Sequence, residues 1–422
     1  MLDAVPEAMP KAFENWCQKF DDVFTRGSQQ EHFRTYLAGL LGEGHRKNIW
    51  VIASQTVGVS YFNLHHFLHD SPWNAQALND RRIDLIWHHR QTRPKRDFRL
   101  IIDDSGHRKS GSATDGVARQ YIGQVGKVDN GMVMVTTHAY DGVRGVPLDL
   151  AMYKPASTLP EGKADPNFVK KPELALRLID RCLERGHTPG LSLVDSGYGN
   201  NGPFLLELEN RELKYIAALI KTRIVYAQLP GEPSRNKHRL EDVARALAPE
   251  SFTKVTLKLD KPRDVWVAVV PIHFPKLEGT RHVAIQLDAP TFEEAKEVDY
   301  LMTNQTAEVA SAVWIARNYS ERNWIEVFYR EVKGWLGMTE YQVRDQRSIE
   351  RHWLLVVNAF TFLTWLRHTG GLRGAWSSEA VSTFGDAFRV FRHAVECNMI
   401  RWLGGNLDVF VAHRAKSGLR FA

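Results

Sequence analysis

The residues that could do chemistry gather in one short segment, 319–333, where a single acid stands among cations and an aromatic hydroxyl: Tyr319, Arg322, Glu326, Arg330 and Lys333. At about 100° per residue these would share an arc of roughly 80° on an α-helix, with Trp324, Ile325, Phe328, Val332, Trp335 and Leu336 on the opposite side. Such a helix turns one side to a core and the other to phosphates. Standing alone, a carboxylate amid Arg and Lys is an ordinary salt-bridged surface. Two further acids change its meaning. The apolar run Leu100-Ile101-Ile102 meets Asp103 and Asp104 and then Ser-Gly, the pattern of a buried strand delivering carboxylates at its carboxyl end. Pro189 to Val194 repeats the pattern into Asp195, between helical stretches at Pro172 to Arg185 and Pro203 to Arg211, so it reads as the middle strand of an α/β crossover. Asp also forms turns and caps helices, so neither strand suffices by itself. Three acids from two strands and a helix repel one another unless cations neutralise them. Two divalent ions about 3.5–4 Å apart would do so, while activating the attacking oxygen and stabilising the leaving oxygen of an in-line displacement at phosphorus. Carboxylate oxygens suit Mg²⁺ or Mn²⁺ rather than zinc.

These residues resemble the DDE transposases of bacterial insertion sequences. Tyr319-x2-Arg322-x3-Glu326-x6-Lys333 is similar to the tyrosine-arginine-glutamate-lysine signature of the insertion-sequence-four superfamily. The blocks Asp103 to Gly111, Gly116 to Asn130 and Asp195 to Gly199 resemble that superfamily's seven-hundred-one family, and the likeness spans roughly residues 98–368. It implies an α/β fold: an RNase H-like catalytic core with a β-rich insertion domain and an N-terminal helical DNA-binding domain. It also implies that Asp103, Asp195 and Glu326 are catalytic and hold two Mg²⁺ or Mn²⁺ ions per active site. Asp103 directly follows the apolar strand, and Asp104 is its rival. Tyr319, Arg322 and Lys333 inherit a grip on DNA phosphates near the cleaved end; Arg330 joins them on helical geometry alone. Glu321 and Glu331 are turned off the stripe. The partners implied are double-stranded DNA, as terminal inverted repeats and as target, and a second copy of the chain, paired on that DNA. The reaction implied is cut-and-paste transposition through a hairpin on the transposon end. Two alternatives stay open: an end-binding regulator that does not cut, and a structure-selective nuclease of the same fold.

The elements that must position these groups divide the 422 residues into several units. Residues 1–95 read as short helices, with Phe13, Trp16 and Phe20 and then Phe33, Leu37, Leu40 and Leu41 at helical spacing. They serve either to recognise DNA or to buttress the core. Arg81 to Arg96 is densely basic and broken by Pro94, which fits a solvated linker and a phosphate-following track equally well. Residues 96–220 and 301–370 form the two parts of the catalytic core. In the first part, strands at Gly131 to His138 and Val146 to Tyr153 follow the Asp103 strand to give three antiparallel strands. Residues 221–300 form the β-rich insertion, with strands at Phe252 to Asp260, Val265 to Ile272 and His282 to Leu287. Its single tryptophan, Trp266, is either strand core or, as the family implies, an aromatic that stacks on a flipped base. Residues 371–422 read as two or three packing helices.

A net charge of +6 favours a polyanionic partner, and 43% hydrophobic residues suffice for a proper core. Cys17, Cys182 and Cys397 are far apart and odd in number, which speaks against a disulfide framework or a cysteine zinc site. The N-terminus lacks a signal-peptide pattern, and Trp353 to Leu366 is too short to span a membrane, so the expected setting is the bacterial cytoplasm, with the nucleoid. The pairs His65-His66 and His88-His89 lack the spacing of a relaxase, and the chain carries no Walker loop, so ATP is not implied.

Overall fold

The computed structural model of the chain describes residues 8–416 apart from 43, 45, 260 and 373–375. Five helices come first: α1 (Lys11–Cys17), α2 (Gly27–Leu41), α3 (Ile49–Ser54), α4 (Tyr61–His69) and α5 (Ala75–His88). Asn48, Ser60 and Asn74 cap α3, α4 and α5, each side chain accepting a backbone N–H from the first turn. Next come β1 (Arg99–Arg108), β2 (Ala118–Ile122), β3 (Lys127–Tyr140), β4 (Gly145–Tyr153) and α6 (Lys171–Glu184). They lead to β5 (Leu191–Val194), α7 (Ser196–Gly199), α8 (Gly202–Asn210) and β6 (Tyr215–Leu219). Residues 221–300 hold β7 (Ile224–Ala227), β8 (Asn236–Arg239), α9 (Leu240–Arg245), β9 (Thr253–Leu257), β10 (Arg263–His273), β11 (Thr280–Leu287) and the start of β12 (Val298–Thr303). The chain closes with α10 (Ala312–Ser320), α11 (Trp324–Gly334), α12 (Gln346–Thr369) and α13 (Phe384–Lys416).

Among the described residues the strands form one mixed sheet, ordered β2-β3-β1-β5-β6-β12-β11-β10-β7-β8, with β4 on β3 and β9 on β10. Only β1–β5 and β5–β6 pair in parallel, because α6 and α7–α8 supply the crossovers that parallel strands need. The expected antiparallel strands β1, β3 and β4 are present, and β2 joins them beside β4 along the far edge of β3. The three strands expected within 221–300 are also present, although Asp260 lies outside the described residues. Through β11–β12 and β12–β6 these strands continue the sheet of β1, β5 and β6.

The apolar run Trp353 to Leu366 forms the middle of α12, which is buried on nearly every side. The first helices wrap it. Trp16 Nε1 donates to Asn358 Oδ1 at 2.9 Å, and Phe13 meets Phe362 edge-on at 5.9 Å. Arg351 is buried but donates to the carbonyls of Leu68, Ser71 and Trp73 at 2.6–2.8 Å, which satisfies its guanidinium in place of water. Among the described residues no helix is long and apolar enough to cross a membrane. Of the two or three helices expected at the C-terminus, two are present, running on from each other as α13 across a kink where Asn406 leaves helical geometry at φ −138°.

Two expectations need correcting. Asp103 does not end its strand, since β1 continues to Arg108 and pairs with β3 throughout; the Ser-Gly that reads as a turn is held in the ladder. Asp103 is instead the first residue past the parallel partner, because β5 stops at Val194 opposite Ile102. Nor is 319–333 one helix. A 3₁₀ turn at Glu321–Asn323 separates α10 from α11. Each 3₁₀ residue turns about 120° rather than 100°, so a single continuous-helix stripe does not describe Tyr319 together with the residues of α11.

Candidate active site

Alternation along β1 sends neighbouring acids to opposite faces of the sheet. Asp103 shares the face of Ile101, which packs toward α11 and α12, whereas Asp104 shares the face of Ile102, covered by α6 and α8. Asp104 is engaged by Lys171 at 2.5 Å. Asp103 is buried, and its Oδ1 receives Arg322 Nη2 at 3.0 Å and the Asp104 N–H at 2.9 Å. Asp195 begins α7 as its N-cap, Oδ1 accepting from Gly197 N at 2.9 Å and Tyr198 N at 3.2 Å. Gly199 completes this tight connection: a Cβ there would lie 2.0 Å from the Ala218 carbonyl oxygen on β6. Glu326 is exposed in the first turn of α11 and makes no hydrogen bond or ion pair among the described residues.

The charges of these groups are coupled. Burial pushes the Asp103 carboxyl up to about 7, against the pull of Arg322 and with further push from Asp195, Asp104 and Glu326. Burial works against the Arg322 charge, yet Asp103, Tyr319, Asp195 and Glu326 together hold it above the ordinary arginine range. Burial lowers Lys333, while the charges of Glu326 and Asp103 draw it back upward. Tyr319 reaches the end of β5, its hydroxyl donating to the Val194 carbonyl at 3.4 Å. Burial raises its hydroxyl well above the usual range. The structure therefore brings Asp103, Asp195, Glu326, Tyr319, Arg322 and Lys333 into one electrostatic unit.

Arg330 and Trp266 stand apart from it. Arg330 is exposed beside Glu331 at 3.5 Å. Trp266 is half-buried in β10, opposite Leu287 and Lys254, with the Lys254 ammonium 5.6 Å from its ring. Glu321 pairs with Arg99 at 3.0 Å, away from the acids.

The donor set suits hard divalent cations, because all three groups are carboxylates. Asp103 and Asp195 each commit only Oδ1 to protein partners among the described residues, leaving Oδ2 for another ligand. No three His, Cys, Asp or Glu side chains among the described residues are grouped tightly enough to hold an ion unaided. Here the Arg322 guanidinium supplies the positive charge at Asp103.

Sequence reasoning missed a hydroxyl chain behind the first acid. Tyr329 and Thr136 share a 2.5 Å hydrogen bond, and Thr136 lies opposite Asp103 in the β1–β3 register and donates to its carbonyl at 3.4 Å. The one available signal was weak: Thr136 ends the apolar run Met132 to Val135, and Tyr329 follows Val327 and Phe328. It also missed the seat of α11. Trp324 stacks on Tyr140 at 5.6 Å and lies over Gly145, where a Cβ would come within 2.0 Å of the indole. Gly145→Ala should therefore displace the start of the Glu326 helix and destabilise the protein by about 1–3 kcal/mol. A thermal melt checks this, and an unchanged midpoint would show that the helix sits elsewhere.

Comparison with known proteins points the same way. Residues 19–269 match the family described as DDE superfamily endonuclease. The chain is 30% identical over 346 residues to the probable transposase for insertion sequence element IS701 of Microchaete diplosiphon, an alignment covering 81% of this chain and 84% of that one. A piggyBac transposase, solved by cryo-EM as a synaptic complex with hairpin DNA, is a distant structural neighbour. It covers 95% of this chain and 79% of its own at 8% identity, and its TM-score of 0.45 is too low to carry an argument.

Proposed function

Because this chain belongs to the DDE superfamily of endonucleases and, within it, to the insertion-sequence transposases, we propose that it moves its own element by cut-and-paste, with Asp103, Asp195 and Glu326 as the catalytic carboxylates. The observation that carries this reading is the Arg322 guanidinium held against Asp103 on β1 at 3.0 Å, with Asp195 at the end of β5 and Glu326 on α11 near enough to act on the charge of both. The fold we infer is RNase H-like at β1–β6, α6–α8 and α10–α12, with residues 221–300 as its β-rich insertion and α1–α5 as its DNA-recognising helices.

Divalent cations, two Mg²⁺ or Mn²⁺ held by Asp103, Asp195 and Glu326, would activate the attacking oxygen and stabilise the leaving one. The chain's own groups do the rest. Asp103 must be ionised to act as a ligand, and burial makes it hold its proton up to about pH 7. Arg322, already against Asp103, can turn its remaining donors to a phosphate, because a guanidinium presents several N–H groups in one fork. Lys333 neutralises the same phosphate from the next turns of α11. Tyr319 ties α10 to the end of β5 and so fixes the approach of Arg322 to the acids. In this reading water first frees the element's 3′ end, and that hydroxyl then attacks the opposite strand, leaving a hairpin on the transposon end. A second water opens the hairpin and the 3′ end attacks target DNA. All are in-line transfers at phosphorus, so one site can serve them in turn. Two protomers pair the two ends on the DNA.

The test is cleavage of duplexes carrying the element's own ends with Mg²⁺, read on a denaturing gel. The expected result is metal-dependent cleavage with a double-length hairpin species. Cleavage without that species would discard the hairpin and keep the transposase, and tight binding without cleavage would favour an end-binding regulator.

A further inference from the structure

The basic run that precedes β1 is a built surface rather than a loose linker. Thr92 Oγ1 donates to the Ile86 carbonyl at 2.9 Å, Arg93 N to the His89 carbonyl at 2.9 Å, and Lys95 N to Asp141 Oδ2 at 3.0 Å. Arg144 Nε fastens the β3–β4 turn to it through the Gln91 carbonyl at 2.9 Å. Together with the loop before β5, this segment encloses an open recess of about 660 Å³. Its cations are Arg90, Arg93, Lys95, Arg96 and Arg144, and none of its lining residues is Asp or Glu. Its floor is the Trp87 indole stacked on the His187 imidazole at 4.1 Å, and His187 Nε2 is buried with no hydrogen-bond partner among the described residues.

Of the acids nearby, Asp84 stands exposed on α5 and acts on His187, while the others are committed. Asp141 is covered by Arg144 at 3.0 Å, while Asp97 and Glu321 both face Arg99, at 3.6 and 3.0 Å. Arg90, Arg93, Lys95 and Arg96 are exposed and make no ion pair among the described residues. Four unpaired cations on a fixed loop raise the local potential and attract a polyanion. The recess also has a defined relation to the acids. Phe98, on its wall, is five residues before Asp103 along one extended segment, or about 17 Å at 3.4 Å per residue. That is the axial length of about five base pairs.

We propose that this recess holds the phosphodiester backbone of the element's end, about five base pairs from the phosphate at Asp103, so that one duplex is gripped at two places along β1. This rests on the transposase reading above and adds a second contact to it. The guanidinium groups would displace condensed counterions from the phosphates, a term that salt weakens steeply.

The test compares wild-type protein with Arg90→Gln/Arg93→Gln/Arg96→Gln in binding a fluorescein-labelled duplex of the element's own end, between 50 and 200 mM salt. We expect the slope of log affinity against log salt to fall by about 2–3, and affinity to drop roughly tenfold or less for each arginine in contact near 0.1 M salt. The Arg→Lys triple variant should restore the slope, and melting should be unchanged because these side chains have no partners to lose. An unchanged slope in the Gln variant overturns the proposal. So does a loss confined to an unrelated target duplex, which would make the recess a target site. Wild-type protein that binds no end duplex at any salt would overturn the transposase reading itself, a result distinguishable from the first.

Discussion

Glu326→Gln should lower cleavage of end duplexes by on the order of a thousandfold or more, about 4 kcal/mol of transition-state stabilisation, while duplex affinity and melting temperature stay close to wild type. The separation follows from where Glu326 sits. It is exposed, in the first turn of α11, and it makes no hydrogen bond or ion pair among the described residues, so its amide leaves no partner stranded. Surface substitutions of that kind shift stability by about 0.5 kcal/mol or less. Its charge nevertheless reaches the site, raising Asp103 and supporting both Arg322 and Lys333. What Gln removes is therefore charge directed at the site, with little else disturbed. Rates on a denaturing gel, affinity by fluorescence anisotropy and a circular-dichroism melt distinguish the possibilities. Retained cleavage would remove Glu326 from the catalytic set. Equal loss of binding would mean that α11 carries recognition rather than chemistry.

The elements that carry the candidate acids were legible because their signals are local. An apolar run that meets Asp, and a helical stretch leading into it, need no knowledge of distant residues; β1, α6, β5 and α8 lie close to where the pattern places them. The break between α10 and α11 was not legible. Neither Gly nor Pro marks it, and its immediate neighbours explain it only in three dimensions, where Arg99 holds Glu321 at 3.0 Å and Asp103 holds Arg322 at 3.0 Å. The continuation of β1 past Asp103 was hidden for a related reason. Asp-Ser-Gly is turn chemistry in isolation, and only pairing with β3 through Arg108 keeps it extended. The seat of Trp324 on Gly145 and the Lys171 contact to Asp104 join segments far apart in the chain, which no periodicity reports. The role of 81–96 was undecidable from composition, since a solvated linker and a phosphate track have the same residues. Its first half lies in α5, where Arg82 is buried against Asn79, and the bonds of Thr92 to Ile86 and of Lys95 to Asp141 fix the loop that follows, none of which composition reports.

Asp103→Asn and Asp104→Asn should behave as opposites although the residues are adjacent. The first should abolish cleavage, on the order of a thousandfold or more, since Asp103 faces Arg322, Asp195 and Glu326. The second should leave cleavage within about tenfold, because Asp104 points through the sheet to Lys171, a partly exposed pair worth about 0–1 kcal/mol. Stability supplies an independent check with a definite sign. The folded pKa of Asp103, about 7, lies above the ordinary aspartate value of 3.8, so the proton is held more tightly in the folded protein. That contribution is fully present below about pH 4 and is lost as pH rises through 7, amounting to up to about 4 kcal/mol. Asn cannot ionise, so metal-free Asp103→Asn should show a flatter melting temperature between pH 4 and 8 than wild type. Asp104→Asn should keep the wild-type slope. Added Mn²⁺ should raise the wild-type melting temperature more at pH 8 than at pH 6, since a ligand must shed its proton, and should raise that of Asp103→Asn much less. If Asp104→Asn alone kills cleavage and flattens the pH profile, the first catalytic acid lies on the other face of β1, and the Arg322 contact to Asp103 is structural.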